Sequence, residues 1–346
     1  MQKKILPIDI PSISPNNLND FINDFSWCTP YRDYNFISTK LLDAMVSIVS
    51  KLSSDPMIRD CYCINLNDIC LDLSRISTVA IDVNNVFKQG LNPIYDLQTS
   101  PLFAFLYTGI SSEQAYPYTA GANGFYSMEK IKNFARQFRR NYKMFTQKAN
   151  IRFDVTGINT LLSESLVGSL KMPVLLYPEL YIKYSLKEKL TGRELDIIQF
   201  ISKKFLNIFK TNVECPEDIL NRVSILADDL IHKHMQQVIS DVKLLLKSNK
   251  IPRKADVLIS GTPKYLGRLF SYYYKSYGKK IYRFTHGGDR AFNDDPSWAI
   301  KELMFCDQYF CHGYGEAQNI EMRLKEKRIV SLYTENIRFI GQGSKR

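Results

Sequence analysis

The residues in this 346-residue chain best equipped for chemistry lie in one run, His286-Gly287-Gly288-Asp289-Arg290. An imidazole titrates near neutral pH and can take a proton from a hydroxyl, and the two glycines let a ligand approach the backbone. Asp289 can orient the ring or replace it as base, and Arg290 can hold a phosphate on two parallel donors. Asp294 and Asp295 follow closely and could serve as carboxylates on the same edge. A plainer reading stands beside these: His286 hydrogen-bonds its own turn, and the four charges after it are solvated loop charges.

The elements around this run must position it. Residues 256–260 form a short apolar strand cut off by Gly261-Thr262-Pro263, with Thr262 placed as a helix N-cap and Pro263 at the first helical position. Tyr265, Leu266, Leu269, Phe270, Tyr273 and Tyr277 then recur at helical spacing until Gly278, and residues 280–285 alternate as a second strand that runs into His286. A strand, helix and strand of this length make a right-handed unit with parallel strands. The turns at Gly261-Thr262 and His286-Gly287 are therefore expected about 5 Å apart, on the edge where open α/β sheets bind ligands. The free N–H groups and dipole of the helix N-terminus favour an anionic or hydroxyl-bearing ligand there. Arg268, on the helix's second turn, either extends to solvent or reaches an anion. The rhythm continues with a helix over 296–304, a strand over 306–311 ending in His312-Gly313, a charged helix over 316–327 and a strand over 337–340 ending in Gly341. Asp307 and His312 bracket the 306–311 strand and are pocket candidates, with a purely structural His312 as the alternative.

Upstream, residues 1–34 read as an irregular arm, 34–52 as a helix, and 61–66 and 76–83 as strands, because β-branched residues cluster there between Asp, Asn and Ser. Residues 102–107 fit either a strand or the start of a helix, and 111–124 a loop. Residues 128–148 form an amphipathic helix. Ile131, Phe134, Phe138, Tyr142 and Phe145 lie on one stripe, and Lys132, Arg136, Arg139, Arg140 and Lys143 on another face. That basic face is either solvated, or set against an anionic membrane surface or phosphorylated acceptor, or a nucleic-acid contact. It carries no interleaved aromatics, which argues against nucleic acid. From 156 to 249 the chain reads as mostly helical, interrupted by a strand signal at 172–177. The expected architecture is thus a single α/β domain over 1–346: a Rossmann-like, mostly parallel sheet with helices on both faces, plus a mainly helical layer over 125–250 inserted between the early strands and the later ones.

Composition bounds the function. A formal charge of +11 points to an acidic partner. Seven cysteines and no basic, apolar leader at the N-terminus imply a reducing, cytoplasmic setting, with peripheral placement on the inner face of the plasma membrane as an extension of the basic helix. No apolar run is long enough to span a bilayer. His232 and His234 are two apart on a helix and cannot share a metal, and the cysteine spacings are not those of a zinc site. Neither a phosphate-binding loop with its lysine nor a GxGxxG after a strand occurs, so no metal or cofactor is expected.

The segment 256–341 carries a resemblance. Its Ser-Gly-Thr-Pro turn, Thr-His-Gly-Gly, Cys-Asp-x-Tyr-Phe-x-His-Gly and closing Arg-Phe-Ile-Gly resemble the end of the N-terminal half of GT-B glycosyltransferases of bacterial capsule, lipopolysaccharide and related surface-polymer synthesis. The resemblance covers about a quarter of the chain. It implies that this half holds a saccharide or lipid-linked acceptor and that a nucleotide-activated sugar donor is bound by a C-terminal half. By position, His286 would be the base, with Gly287 and Gly288 admitting the acceptor. The chain stops at Arg346, just after the strand that leads into the donor half, so the donor domain is expected to be absent from it. Two alternatives remain: a polyol-phosphate transferase of the same architecture, and a non-catalytic module that binds carbohydrate or docks on a partner.

Overall fold

A computed structural model of the chain describes residues 5–7, 28–110, 151–154, 174–176, 189–247, 256–259, 265–285, 297–326 and 337–341. They fall into two compact units. The first comprises Met1–Ile48, Asp68–Thr119 and Leu190–Met235, and the second Val49–Asn67, Ala120–Lys189 and Gln236–Arg346.

The first unit is built from helices and one small strand pair, and three of these helices run on into residues of the second. Helix α1 (Tyr31–Lys51) buries Ile37, Leu41 and Met45 at four-residue intervals. Helix α2 (Pro56–Gln89) covers both segments expected as strands, 61–66 and 76–83. The correction has a physical cause. Ile69, Leu73, Ile76, Ala80 and Val83 are all buried at spacings of four and three, which is a helical stripe; a helix buried on more than one face reads locally as short apolar runs. Helix α3 (Pro101–Thr108) settles the ambiguous 102–107 segment as helix and ends on Gly109 in the left-handed conformation (φ 78°). Arg222 closes that end by donating to the Leu106 and Tyr107 carbonyls at 2.6 and 3.0 Å. Helix α4 (Gly192–Asn212) starts on a reciprocal cap: Thr191 Oγ1 accepts from the Glu194 N–H at 3.3 Å, and Glu194 Oε2 from the Thr191 N–H at 2.8 Å. Helix α5 (Glu217–Lys247) follows. Its buried His234 lies with Nε2 2.9 Å from Oδ2 of the equally buried Asp72 on α2. Strands β1 (Ile5–Pro7) and β2 (Asn92–Ile94) pair in parallel.

The second unit holds a six-stranded sheet formed by β3 (Ile151–Asp154), β4 (Val174–Leu176), β5 (Asp256–Ile259), β6 (Ile281–Phe284), β7 (Gln308–Cys311) and β8 (Arg338–Gly341). Its order is β4-β3-β5-β6-β7-β8, and every neighbouring pair is parallel. The expected strand–helix–strand unit is present. Helix α6 (Tyr265–Ser276) joins β5 to β6, packs on both and ends at Gly278 with φ 71°, and Ile259 pairs with Arg283. The later elements follow the expectation too, as α7 (Ser297–Glu302), β7, α8 (Tyr314–Glu326) and β8. Ala299, Leu303, Tyr309, Cys311, Ala317, Ile320 and Leu324 pack into one core there, with Trp298 and Phe339 against it.

The remaining strands of the sheet do not come from the early chain. They come from the region read as a helical layer, where β4 falls on the strand signal at 172–177 and β3 has no such signal. A four-residue strand in which charged residues alternate with apolar ones, Ile151-Arg152-Phe153-Asp154, has no continuous apolar run to mark it. The fold class is mixed α/β with a parallel sheet. The loop expected over 111–124, the basic helix over 128–148 and most of the N-terminal arm lie outside the described residues.

Candidate functional site

A sheet with all strands parallel places every strand's C-terminal end on one edge. On that edge β5 ends at Ile259 and β6 at Phe284, neighbours in register. Gly261, Thr262, His286, Gly287, Gly288, Asp289 and Arg290, together with Asp294 and Asp295, lie outside the described residues. What is described is the base on which the His286 segment begins. Thr285, fully buried, extends the ladder by donating its N–H to the Phe310 carbonyl at 2.8 Å, and its hydroxyl hydrogen-bonds the Tyr309 phenol. Tyr309 in turn donates to Glu302 Oε2 at 2.7 Å. Burial, followed by the Glu302 carboxylate, holds the Tyr309 phenol well above its ordinary range, so it stays protonated and keeps donating.

Arg283 is the larger surprise. Its side chain is fully buried one residue before the end of β6. Nη1 donates to the carbonyls of Lys301 and Glu302 at 3.0 and 2.9 Å, and Nη2 to Ser271 Oγ at 2.8 Å. Lys301 and Glu302 are the last residues of α7, where carbonyls have no partner within the helix, so the guanidinium closes α7 and ties it to α6 through β6. In the sequence Arg283 reads as one charge in a strand of alternating residues, and nothing local marks it as buried.

The three predicted site residues that are described go to different places. Arg268 neither extends to solvent nor stands on an open surface: it is 1% exposed and donates Nε to the Ile64 carbonyl of α2 at 2.7 Å. Asp307 sits on the opposite edge of the sheet from the strand C-termini. There its carboxylate accepts from the Ile281 N–H at 2.8 Å and from Lys275 Nζ at 2.5 Å, while its backbone bonds Ile281 and Arg338. It therefore fastens the starts of β6, β7 and β8. It precedes β7, so with all strands parallel it cannot share the C-terminal edge with His312, and its expected place in the pocket is not met. His312 does lie just past the C-terminal end of β7, with its side chain exposed and its N–H donated to Glu316 Oε2 at 2.7 Å. The turn it belongs to is covered by β8. A Cβ on Gly341 would stand 2.2 Å from Tyr314 Cα and 2.7 Å from the Gly313 carbonyl carbon, so only glycine fits.

One further carboxylate went unnoticed in the sequence. Asp241 on α5 is 1% exposed. Its Oδ2 accepts from Tyr265, the first residue of α6, at 2.8 Å and from Gln237 Nε2 at 2.9 Å, while Oδ1 has no partner among the described residues. Burial pushes its pKa up, against the lowering effect of those two donors. All seven cysteines are free thiols; burial raises Cys306 to about 12 and Cys311 and Cys70 further still, so these three are inert at neutral pH. Among the described residues no cluster of three metal-ligating side chains occurs, and no helix is long and apolar enough to cross a membrane. Compared with known protein families, with curated proteins and with solved structures, the chain gives no match.

Proposed function

We propose that the parallel sheet is the acceptor-binding half of a GT-B-type glycosyltransferase of bacterial surface polysaccharide synthesis, acting on a saccharide or lipid-linked acceptor. In this reading the acceptor hydroxyl attacks the anomeric carbon of a nucleotide-activated sugar, the nucleotide leaves with the bonding electron pair, and His286 takes the hydroxyl proton. The observation that supports it best is the pairing of β5 with β6, in register and parallel, so that the chain leaves adjacent strand ends toward Gly261-Thr262 and toward His286. The buried chain from Thr285 through Tyr309 to Glu302 adds a rigid footing for the residue that follows Thr285, as a positioned base requires. A net charge of +11 suits a phosphorylated donor, and suits an acceptor carried on an anionic membrane surface.

The test is turnover by this chain together with a donor-binding half, using a panel of nucleotide sugars and saccharide acceptors and comparing wild type with His286→Ala and His286→Asn. Both variants are expected to lose about 10²- to 10⁴-fold in kcat with little change in KM for the acceptor, because a proton acceptor acts mainly in the transition state. Near-normal turnover by folded His286→Asn would remove His286 from the mechanism, since an amide cannot take a proton at neutral pH.

A further inference from the structure

The starts of β6, β7 and β8 lie on the edge of the sheet opposite the strand C-termini, and this edge carries an excess of positive charge. Lys275 stands in the last turn of α6, Lys279 and Lys280 lead into β6, and Arg338 opens β8 in register with Gln308 of β7. Lys275, Lys280 and Arg338 are exposed, and Lys279 is half-exposed. Asp307 is the only carboxylate among the described residues at these three strand starts. Its Oδ1 already serves two ammonium groups, Lys275 Nζ at 2.5 Å and Lys280 Nζ at 3.8 Å. Lys279 and Arg338 find no side-chain partner among the described residues. The dipole at the end of α6 accounts for Lys275 but fades within a turn, and β8 offers none to Arg338. Two aromatic residues stand among these cations, Tyr277 between Lys275 and Lys279, and Phe305 two residues before Asp307. Both are half-buried, with Tyr277 on Tyr273 at 4.9 Å and Phe305 on Tyr272 at 5.7 Å. Phe305 holds its place in the left-handed conformation, φ 57°, which only glycine takes freely.

We propose that this edge is a docking surface for an anionic membrane. Lysines on flexible stems match a diffuse layer of lipid phosphates, and half-buried aromatic rings beside them suit the boundary between headgroups and acyl chains. Nucleic acid fits less well, because each ring is packed on a tyrosine of α6 rather than presented for stacking on a base. The formal charge of +11 adds long-range attraction. The inference stands apart from the acceptor reading and bears on it in one way. Strands of four residues span about 13 Å, so the strand end that leads to His286 stands at least that far from the lipid. An extended acceptor reaches it, whereas one sugar held at the bilayer does not.

Co-sedimentation of the full chain with vesicles tests it, one set of phosphatidylcholine alone and one of phosphatidylcholine and phosphatidylglycerol in equal parts. Binding is expected to the second set only, and it should weaken as salt is raised. Each cation near an anionic surface contributes about fivefold to the affinity, so Lys279→Gln, Lys280→Gln and Arg338→Gln together should lose on the order of 100-fold. The control removes the same charge elsewhere: Lys189→Gln, Lys203→Gln and Lys210→Gln together, all at exposed positions, should bind nearly as wild type does. If the first triple variant fails to fold, Lys279→Gln with Arg338→Gln takes its place, with a loss of about 20-fold expected. Failure of wild type to bind anionic vesicles at low salt overturns the proposal. So does wild-type affinity in a folded variant of this edge, or an equal loss in both triple variants. Tighter binding of duplex DNA than of anionic vesicles at the same salt, lost in the same variant, puts nucleic acid in the membrane's place and overturns it as well. None of these outcomes touches the turnover test of His286.

Discussion

Arg283→Met isolates what the buried guanidinium contributes. Methionine is of similar length and as apolar as the surroundings, but it withdraws donors from the Lys301 and Glu302 carbonyls and from Ser271 Oγ, at 3.0, 2.9 and 2.8 Å. The serine still donates to the Gly267 carbonyl at 2.8 Å, so its loss is the smaller one. The two carbonyls at the end of α7 lose a charged donor in a place where water does not reach, at about 1–3 kcal/mol each. Relief of the guanidinium's own desolvation offsets part of this, leaving an expected destabilisation of about 3 kcal/mol. Ser271→Ala should cost about 1 kcal/mol, and the double variant less than the sum, with a coupling of roughly 0.5–1 kcal/mol. Arg283→Lys should fall between, because one ammonium cannot span three acceptors on two helices. The chain has two tryptophans, Trp27 and Trp298, and Trp298 packs 6.4 Å from Tyr309 in the same unit. Urea unfolding followed by Trp298 fluorescence in a Trp27→Phe background therefore reports on this unit alone. A shift under about 1 kcal/mol for Arg283→Met, at unchanged denaturant slope, would refute the view that Arg283 ties α6, β6 and α7 together.

Two other outcomes are expected. Gly341→Ala should destabilise the sheet by about 2 kcal/mol or more, since a methyl carbon 2.2 Å from Tyr314 Cα forces one backbone segment off the other; near-wild-type urea unfolding by the same fluorescence assay would contradict that packing. Asp241 holds its proton more tightly folded than unfolded, so its contribution is most favourable at acid pH and declines as pH rises from the ordinary carboxylate range through the raised folded value. Asp241→Asn, whose amide oxygen can still accept from Tyr265 and Gln237, should therefore melt higher than wild type at pH 8 and lose that advantage toward pH 4. A pH-independent difference in melting temperature would show that the buried carboxylate is not the cause.

Much of the C-terminal half was legible in the residues themselves. Gly278 after a helical stripe, the alternation across 280–285, and the glycines after 306–311 and 337–340 each act through dihedral preference and spacing over a few positions, and β5, α6, β6, β7, α8 and β8 follow from them. Where the outcome depends on a distant partner, local pattern was silent or misleading. The β-branched runs of α2 suggested strands, but they are buried against other helices at helical spacing, and packing outweighs β-propensity. Strand β3 joins the sheet only because β4 and β5 supply both of its ladders, so a short charged segment became an interior strand. The same reason hides Arg268 and Arg283 in the interior. Which strands are neighbours, where their order reverses and which charges are buried are all set by contacts between residues far apart in the chain, and those exist only once the tertiary structure has formed.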